Sequence, residues 1–270
     1  MHLPDKMITF DTTNMGNLKI TFLGTGTSQG VPVIGCKCAA CSSDNPEDKR
    51  LRSSILVENE GSTIVVDTGP DFRQQMLRAD VDRLDAVVYT HEHRDHIAGL
   101  DDIRSYNFLQ KRSMDLYGEK RVLQSIRISF PYIFAEDKYP GVPNVVLNTI
   151  DAQPFMIGGV RFIPIRMLHA SMPVFGFRIN DFAYLVDANF ISAEEMKKLE
   201  GVTDVVIGAL RKEKHHSHFT LNEAADLFRE LGAGRGFITH ISHQMGPVSA
   251  FSALLPTGMK AAYDGLVLDL

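Results

Sequence analysis

No apolar run in this sequence approaches the roughly 20 residues that a bilayer crossing needs. The opening MHLPDKMITF has neither the charged n-region nor the apolar stretch of a secretory signal. These absences point to a cytoplasmic chain with no membrane partner. Blocks of Lys or Arg are also missing, and the net charge is −5 with a pI near 6.0. Such a balance argues against a broad, non-specific grip on nucleic acid, which depends on neutralising many phosphates. Low-complexity linkers and short-period repeats are absent too. With 270 residues and 44% hydrophobic content, the chain has material for one large core or two small ones. Cysteine is scarce: there are three, all in GCKCAAC, as Cys36, Cys38 and Cys41. Disulfide frameworks use even numbers and belong to secreted chains, so this cluster reads as a metal site short of its fourth ligand. Structural zinc commonly uses such thiolate spacing.

Histidine, by contrast, is concentrated. THEHRDHIAG places His91, His93, Asp95 and His96 within six positions. Side chains alternate along an extended segment, so His91 and His93 point the same way and can share one ion. Asp95 and His96 lie where the chain turns into a helix and face a neighbouring point. Neutral imidazole and carboxylate suit borderline and hard divalent metals, and two adjacent ions are the natural reading.

A recurring succession of strand, stop and metal-competent residue organises the chain. LDAVVYT is a short continuous apolar strand that runs into the histidine cluster. GVRFIPIRML delivers His169, FGFRI and FAYLVD form a hairpin ending at Asp187, TDVVIGAL leads to RKEKHHSH, and GFIT ends at His240 in THISHQMG. Earlier, LKITFLGTGTSQG begins as a strand from Leu18 to Leu23, and SSILVE with STIVVDTG forms a hairpin around residues 59–61. Ile97, Leu100 and Ile103 have helical spacing. Thr220 and Glu223 make a capping box for LNEAADLFREL, whose apolar positions fit a 3.6 period, and Gly232 ends it. Residues 113–149, with the helix-like EKRVLQSIRISF, are expected to form a variable wall of a substrate pocket. Asp67 in VVDTGP reads as a carboxylate that accepts from the outer ring N–H of a ligand histidine, with a turn-forming aspartate as the alternative. GTGTSQG lacks the Gly-Lys-Ser/Thr of a phosphate-binding loop and reads as a tight turn lining the site.

At these residues the sequence resembles the metallo-β-lactamase superfamily, whose His-x-His-x-Asp-His signature HEHRDH matches as it stands. GTGTSQGVPVIGCKCAAC, DTGPDFR, LVDAN, HSHFTLNEA and THISH resemble its phosphoribosyl cyclic phosphate phosphodiesterase branch, the PhnP-like one. The likeness runs from about Leu18 to Leu270, making residues 18–270 a single hydrolase domain behind an N-terminal extension of residues 1–17, in which Met15 is an alternative start. It implies an α/β fold: a four-layer αβ/βα sandwich of two mixed sheets between outer helices, with the metals at one edge. It assigns His91, His93 and His169 to one metal, Asp95, His96 and His240 to the other, and Asp187 to both. His243 matches the position that completes a structural zinc site with Cys36, Cys38 and Cys41. His218 matches an extra active-site histidine near the leaving group, although KHHSH offers His215 and His216 as well.

The chemistry then expected is phosphodiester hydrolysis, on a small and perhaps cyclic phosphate ester, by water activated between two divalent ions (Zn or Mn). Asp95 and His218 are the side chains expected to take part directly, with His218 as the proton or hydrogen-bond donor to the leaving oxygen. A transfer-RNA 3′-end endonuclease is the alternative, less favoured by the charge and by the lack of a basic arm. Thioesterase or lactonase chemistry would not explain the Cys/His set, and a non-catalytic metal scaffold would not explain a complete ligand set. A homodimer is open by analogy only.

Overall fold

The computed structural model of the chain describes residues 17–270. The expected N-terminal extension, Met15 included, lies outside the described residues apart from Asn17. Strands β1 (Lys19–Gly24), β2 (Ser54–Asn59), β3 (Ser62–Val66), β4 (Ala86–Val88), β5 (Met114–Gly118) and β6 (Val145–Thr149) build one sheet. Strands β7 (Phe155–Ile157), β8 (Val160–His169), β9 (Met172–Ile179), β10 (Phe182–Leu185), β11 (Phe190–Ile191), β12 (Asp204–Gly208), β13 (Arg235–Thr239) and β14 (Met259–Ala261) build the other, before β15 (Val267–Asp269) returns to pair with β1. The first sheet is seven-stranded in the order β15-β1-β2-β3-β4-β5-β6, antiparallel as far as β3 and parallel from there. The second is eight-stranded, ordered β11-β8-β9-β10-β12-β13-β14 with β7 beside β8, and parallel from β10 onward.

The continuous apolar runs follow from burial on both faces. Ile55, Val57, Ile64, Val66, Ala86 and Val88 point between the sheets, where they meet Phe162, Phe177, Tyr184 and Val206. Their neighbours Leu56, Val65 and Val87 point the other way, under helices α1 (Phe72–Arg78), α3 (Arg104–Gln110) and α4 (Lys120–Ser129). In the second sheet Val205, Ile207, Ala183 and Leu185 face α6 (Leu221–Leu231), the helix after the short α5 (Ala193–Lys197). The strands are thus covered on both faces, in the four-layer αβ/βα sandwich that the resemblance implied.

Both hairpins, β2–β3 and β9–β10, form as expected. So does the capping box: Glu223 N donates to Thr220 Oγ1 at 3.2 Å and Thr220 N donates to Glu223 Oε2 at 2.9 Å. Gly232 closes α6 at φ 64°, the left-handed region glycine favours. The helical spacing of Ile97, Leu100 and Ile103 is real, but it spans a short α2 (Arg94–Ile97) and a 3-10 turn at Leu100–Ile103 before α3 begins. Residues 113–149 depart from expectation. They supply β5, α4 and β6, the far edge of the first sheet and its cover, because Leu116, Val122, Leu123 and Ile126 have a core face to fill. Toward the histidine cluster this segment sends Arg121, which bonds Glu92 and the Pro173 carbonyl.

Candidate metal centre

The carboxyl ends of β3, β4, β8, β10 and β13 open on one edge of the sandwich, the edge where α/β folds place ligands. Asp67 follows β3, the segment from His91 to His96 follows β4, His169 ends β8, Asp187 follows β10, and His240 follows β13. Backbone hydrogen bonds close the sheets against each other there, including one from Thr27 N to Ile241 O at 3.2 Å. Phe175 N donates to Thr90 O at 3.1 Å, and Ile241 N donates to Thr25 O at 2.9 Å. Asp67, Asp187 and His240 have φ of 67°, 55° and 56°. Left-handed backbone at buried non-glycine residues costs energy and clusters at functional sites. Gly69 is small for a nearby reason: a Cβ there would sit 2.2 Å from the Asp95 carbonyl oxygen.

Among the described residues, potential ligand atoms gather in three groups, each within 4.8 Å internally: Asp95, His96, Asp187 and His240; His91, His93 and Asp187; Cys36, Cys38, Cys41 and His243. Asp187 belongs to the first two; of the residues expected at the first ion, His91 and His93 fall in one of these groups and His169 in none of them. His169 stands slightly back, its ring 5.1 Å from that of His93 and 5.9 Å from that of His91.

Hydrogen-bond partners fix which ring nitrogen is free. His96 Nδ1 donates to Asp67 Oδ2 at 2.7 Å. Thr90 Oγ1 gives its proton to Asp67 Oδ2 at 2.8 Å and so accepts from His91 Nδ1 at 2.9 Å. Ser53 Oγ donates to the Gly26 carbonyl and so accepts from His240 Nδ1 at 3.2 Å. His169 Nδ1 donates to the Ser217 carbonyl at 2.9 Å. In its neutral form each of the four rings is therefore left with Nε2 as a lone pair. Three of those lone pairs point at one carboxylate: Asp187 lies 3.4 Å from His91 Nε2, 3.0 Å from His96 Nε2 and 2.8 Å from His240 Nε2. Asp95 adds a second carboxylate, 3.2 Å from His96 Nε2.

Lone pairs facing carboxylate oxygens repel unless positive charge lies between them. His91 Nε2 and Asp187 Oδ1 are buried without a hydrogen-bond partner, which leaves both free to ligate a cation. A proton on His96 relieves only part of this. Burial opposes that proton, but the carboxylates of Asp95, Asp67 and Asp187 hold the imidazole well above its ordinary value. His91 is driven down to about 3 by burial and then by His96. Burial raises Asp95, yet the facing His96 and its hydrogen bond outweigh it and hold the carboxyl below its ordinary range. Divalent ions fit this donor set: imidazole nitrogens in the ligating tautomer, two carboxylates, and Asp67 buried behind them as orienter.

The RKEKHHSH loop resolves the choice it posed. His218 faces the cluster, its ring 4.5 Å from that of His169 and 5.2 Å from that of His240, with Nδ1 3.7 Å from Asp187 Oδ1. Burial drives its imidazole down to about 3, so it is neutral at neutral pH. His215 lies one ring further out, 5.0 Å from His218, and His216 a further 4.4 Å beyond. In the loop that follows β1, Thr27 Oγ1 reaches His240 Nε2 at 3.1 Å, so GTGTSQG does line the site.

The thiolate group stands apart from this cluster. His243 Nδ1 is 3.3 Å from Cys36 Sγ and 3.5 Å from Cys38 Sγ, and Val33 N donates to Cys41 Sγ at 3.3 Å. The Cys41 backbone amide brings the Cys38 thiol down to about 6, whereas burial pushes Cys41 up to about 11. Four N and S donors suit a closed zinc site. Sequence reading missed the orienting residues Thr90, Ser53 and Ser217. Thr90 was signalled by its place just before His91; Ser53 and Ser217 carry no pattern.

Comparison with known proteins agrees with this geometry. A family model described as a beta-lactamase superfamily domain matches residues 62–241. A solved structure described as a new diphosphatase from the PhnP family superposes with a TM-score of 0.89 at 37% identity, covering 94% of this chain and 97% of that one. An octanoyltransferase of Porphyromonas gingivalis is 38% identical over 252 residues, 92% of this chain and 51% of that protein. A ribonuclease Z of Bradyrhizobium diazoefficiens is 26% identical over 162 residues, 58% of this chain and 48% of that protein. The chain thus spans about half the length of the curated relatives it matches.

Proposed function

This chain belongs to the metallo-β-lactamase superfamily, in its PhnP-like branch, and is a hydrolase of that fold; on that premise we propose that it hydrolyses a small phosphate ester, a phosphodiester or cyclic phosphate first among them. The convergence of three Nε2 lone pairs on Asp187 carries this reading. His91, His93 and His169 would hold one divalent ion, Asp95, His96 and His240 a second, and Asp187 both, with Zn or Mn suited to such ligands. When bound, two such ions supply Lewis acidity toward phosphoryl oxygens and a water that ionises near neutral pH. Cys36, Cys38, Cys41 and His243 would hold a structural zinc.

The chain's own side chains do the rest. Asp67 keeps His96 in its ligating tautomer directly, and His91 through Thr90. Asp95, more open than Asp187 at 12% against 1% side-chain exposure, accepts a hydrogen bond from the attacking water. No nucleophilic side chain is needed. As the P–O bond breaks, charge grows on the leaving oxygen, and His218 donates a hydrogen bond to it. Because burial keeps that imidazole neutral, hydrogen bonding rather than full proton transfer is its contribution.

A diphosphate is the second substrate reading, supported by the 37% identity to a protein described as a diphosphatase. Similarity to ribonuclease Z covers less of the chain at lower identity, and with a net charge of −5 an RNA substrate ranks below both. The octanoyltransferase name belongs to a protein about twice as long and is not carried over. Among the described residues no helix is long and apolar enough to cross a membrane.

The test is a phosphorus NMR time course on a five-membered ribose cyclic phosphate, with a nucleoside diphosphate in parallel, using metal-loaded and chelated protein. Metal-dependent opening of the cyclic ester or hydrolysis of the diphosphate anhydride is the expected result. Neither substrate turning over would move the weight to RNA 3′-end cleavage or to a thioester or lactone.

A further inference from the structure

Glu92 stands between two expected ligands of one ion, His91 and His93, yet it joins none of the donor groups. Its carboxylate meets Arg121, the second residue of α4, whose Nη1 donates to both oxygens. The other terminal nitrogen of the same guanidinium, Nη2, donates to the Pro173 carbonyl. Pro173 lies near the start of β9 and pairs with Leu168 of β8, and the next pair along is Met172 with His169. One side chain, rooted in the cover of the first sheet, thus holds both the segment that carries His91 and His93 and the hairpin that carries His169.

This clamp is itself braced. Arg121 Nε faces Glu119 Oε2 at 3.5 Å, and Glu119 Oε1 accepts from Arg166 Nη2 at 2.6 Å. Arg166 lies on β8, three residues before His169, and its guanidinium carbon sits 3.9 Å from the ring centre of its cross-strand partner Phe175. Phe175 N in turn donates to the carbonyl of Thr90, the residue before His91. Glu92, Arg121, Glu119 and Arg166 therefore form a partly buried chain of alternating charge from the HEHRDH segment to β8. A planar guanidinium can serve two acceptors at once in fixed geometry, which an ammonium does far less well.

His169 is the expected ligand that most needs such holding. It belongs to the second sheet, whereas His91 and His93 follow β4 of the first, and its ring stands 5.1 Å from that of His93. The other expected ion has separate supports: Asp67 orients His96, and Ser53 and Thr27 contact His240.

We propose that Arg121 is a positioning residue that sets the separation of His93 from His169, and thereby governs the affinity of the ion these two would share with His91 and not that of its neighbour. The proposal rests on the two-ion reading above.

Arg121→Met keeps much of the side-chain length and removes both donations, whereas Arg121→Lys keeps the charge as a point donor. Zinc affinities of wild type and both variants are measured by chelator competition with elemental analysis, and the positions filled are read by anomalous diffraction from zinc-soaked crystals. In Arg121→Met the ion beside His93 and His169 should bind about 10- to 100-fold more weakly, the usual cost of losing a residue that orients metal ligands. The ion beside Asp95, His96 and His240 should keep its affinity, and Arg121→Lys should recover little. Circular dichroism checks folding, and should Arg121→Met not fold, Arg121→Lys carries the test, since a selective loss is expected there too. Equal weakening of both ions, weakening confined to the Asp95 side, or wild-type affinity in either variant would each overturn the proposal. Metal is read without turnover, so inactivity toward phosphate esters bears on the hydrolytic reading alone. A wild-type histidine cluster that takes fewer than two ions sinks the two-ion reading and this proposal with it, whereas two ions held equally well in wild type and variants sink the role of Arg121 alone.

Discussion

Asp187→Asn is expected to lower kcat/KM for phosphoester hydrolysis about a thousandfold or more, while the protein stays folded. Two bound ions contribute several kcal/mol of charge stabilisation, and at about 1.4 kcal/mol per factor of ten their misplacement costs that much rate. Asp187 is the residue on which both depend: it lies within 3.4 Å of Nε2 of His91, His96 and His240 and is 1% exposed. Asn is the informative substitution because it preserves size and tolerates φ of 55°. What it removes is the negative charge and one acceptor. Alanine would strain the left-handed backbone and confuse the two effects. Folding is checked by circular dichroism, and metal content should fall together with the rate. Full activity in this variant would sink the shared-ligand role.

The second large effect is on stability. Cys38→Ser is expected to release one zinc per chain and lower the thermal midpoint by about 10 °C or more, several kcal/mol at about 2–4 °C each for a chain near this size. The loop around GCKCAAC has little core of its own, only Val31, Ala40 and Cys41 with Val33, Cys36 and Cys38 against them. A metal is what can hold such a segment. Cys38 is a better probe than Cys41 because it is only partly buried, so Ser costs little in packing. His243, three residues after His240, ties this loop to a strand end of the candidate active site. Catalysis should therefore weaken, but by far less than in Asp187→Asn. Unchanged stability and metal content would refute the structural zinc.

Much of this molecule is legible in its sequence because covalent neighbours determine so much of it. HEHRDH places four metal-competent side chains by local geometry alone, Thr220 with Glu223 states a helix start, and apolar runs stopping at His91, Asp187 and His240 announce strand ends. The sandwich itself came from resemblance, since periodicity says that Ile55 and Leu56 face opposite ways but not what covers each face. Partners that meet only after folding left no local signal. Ser53 is 187 positions from His240, and a lone serine in LRSSILVE looks like any other. Ser217 is hidden differently: its backbone, not its side chain, orients His169. Residues 113–149 misled because irregular Pro/Tyr/Gly composition masked β5 and β6, short strands whose apolar content is set by the sheet edge they complete.

Quantifying metal bound per chain tests the two-metal centre most directly. The protein is saturated with zinc or manganese, dialysed against chelators of graded strength, and analysed for elemental content beside Asp187→Asn. About three divalent ions per chain are expected, one for each donor group: two exchangeable ions lost together in Asp187→Asn, and one zinc retained there but lost in Cys38→Ser. A wild-type chain that saturates at a single ion, or an Asp187→Asn variant that keeps all of them, would contradict the account.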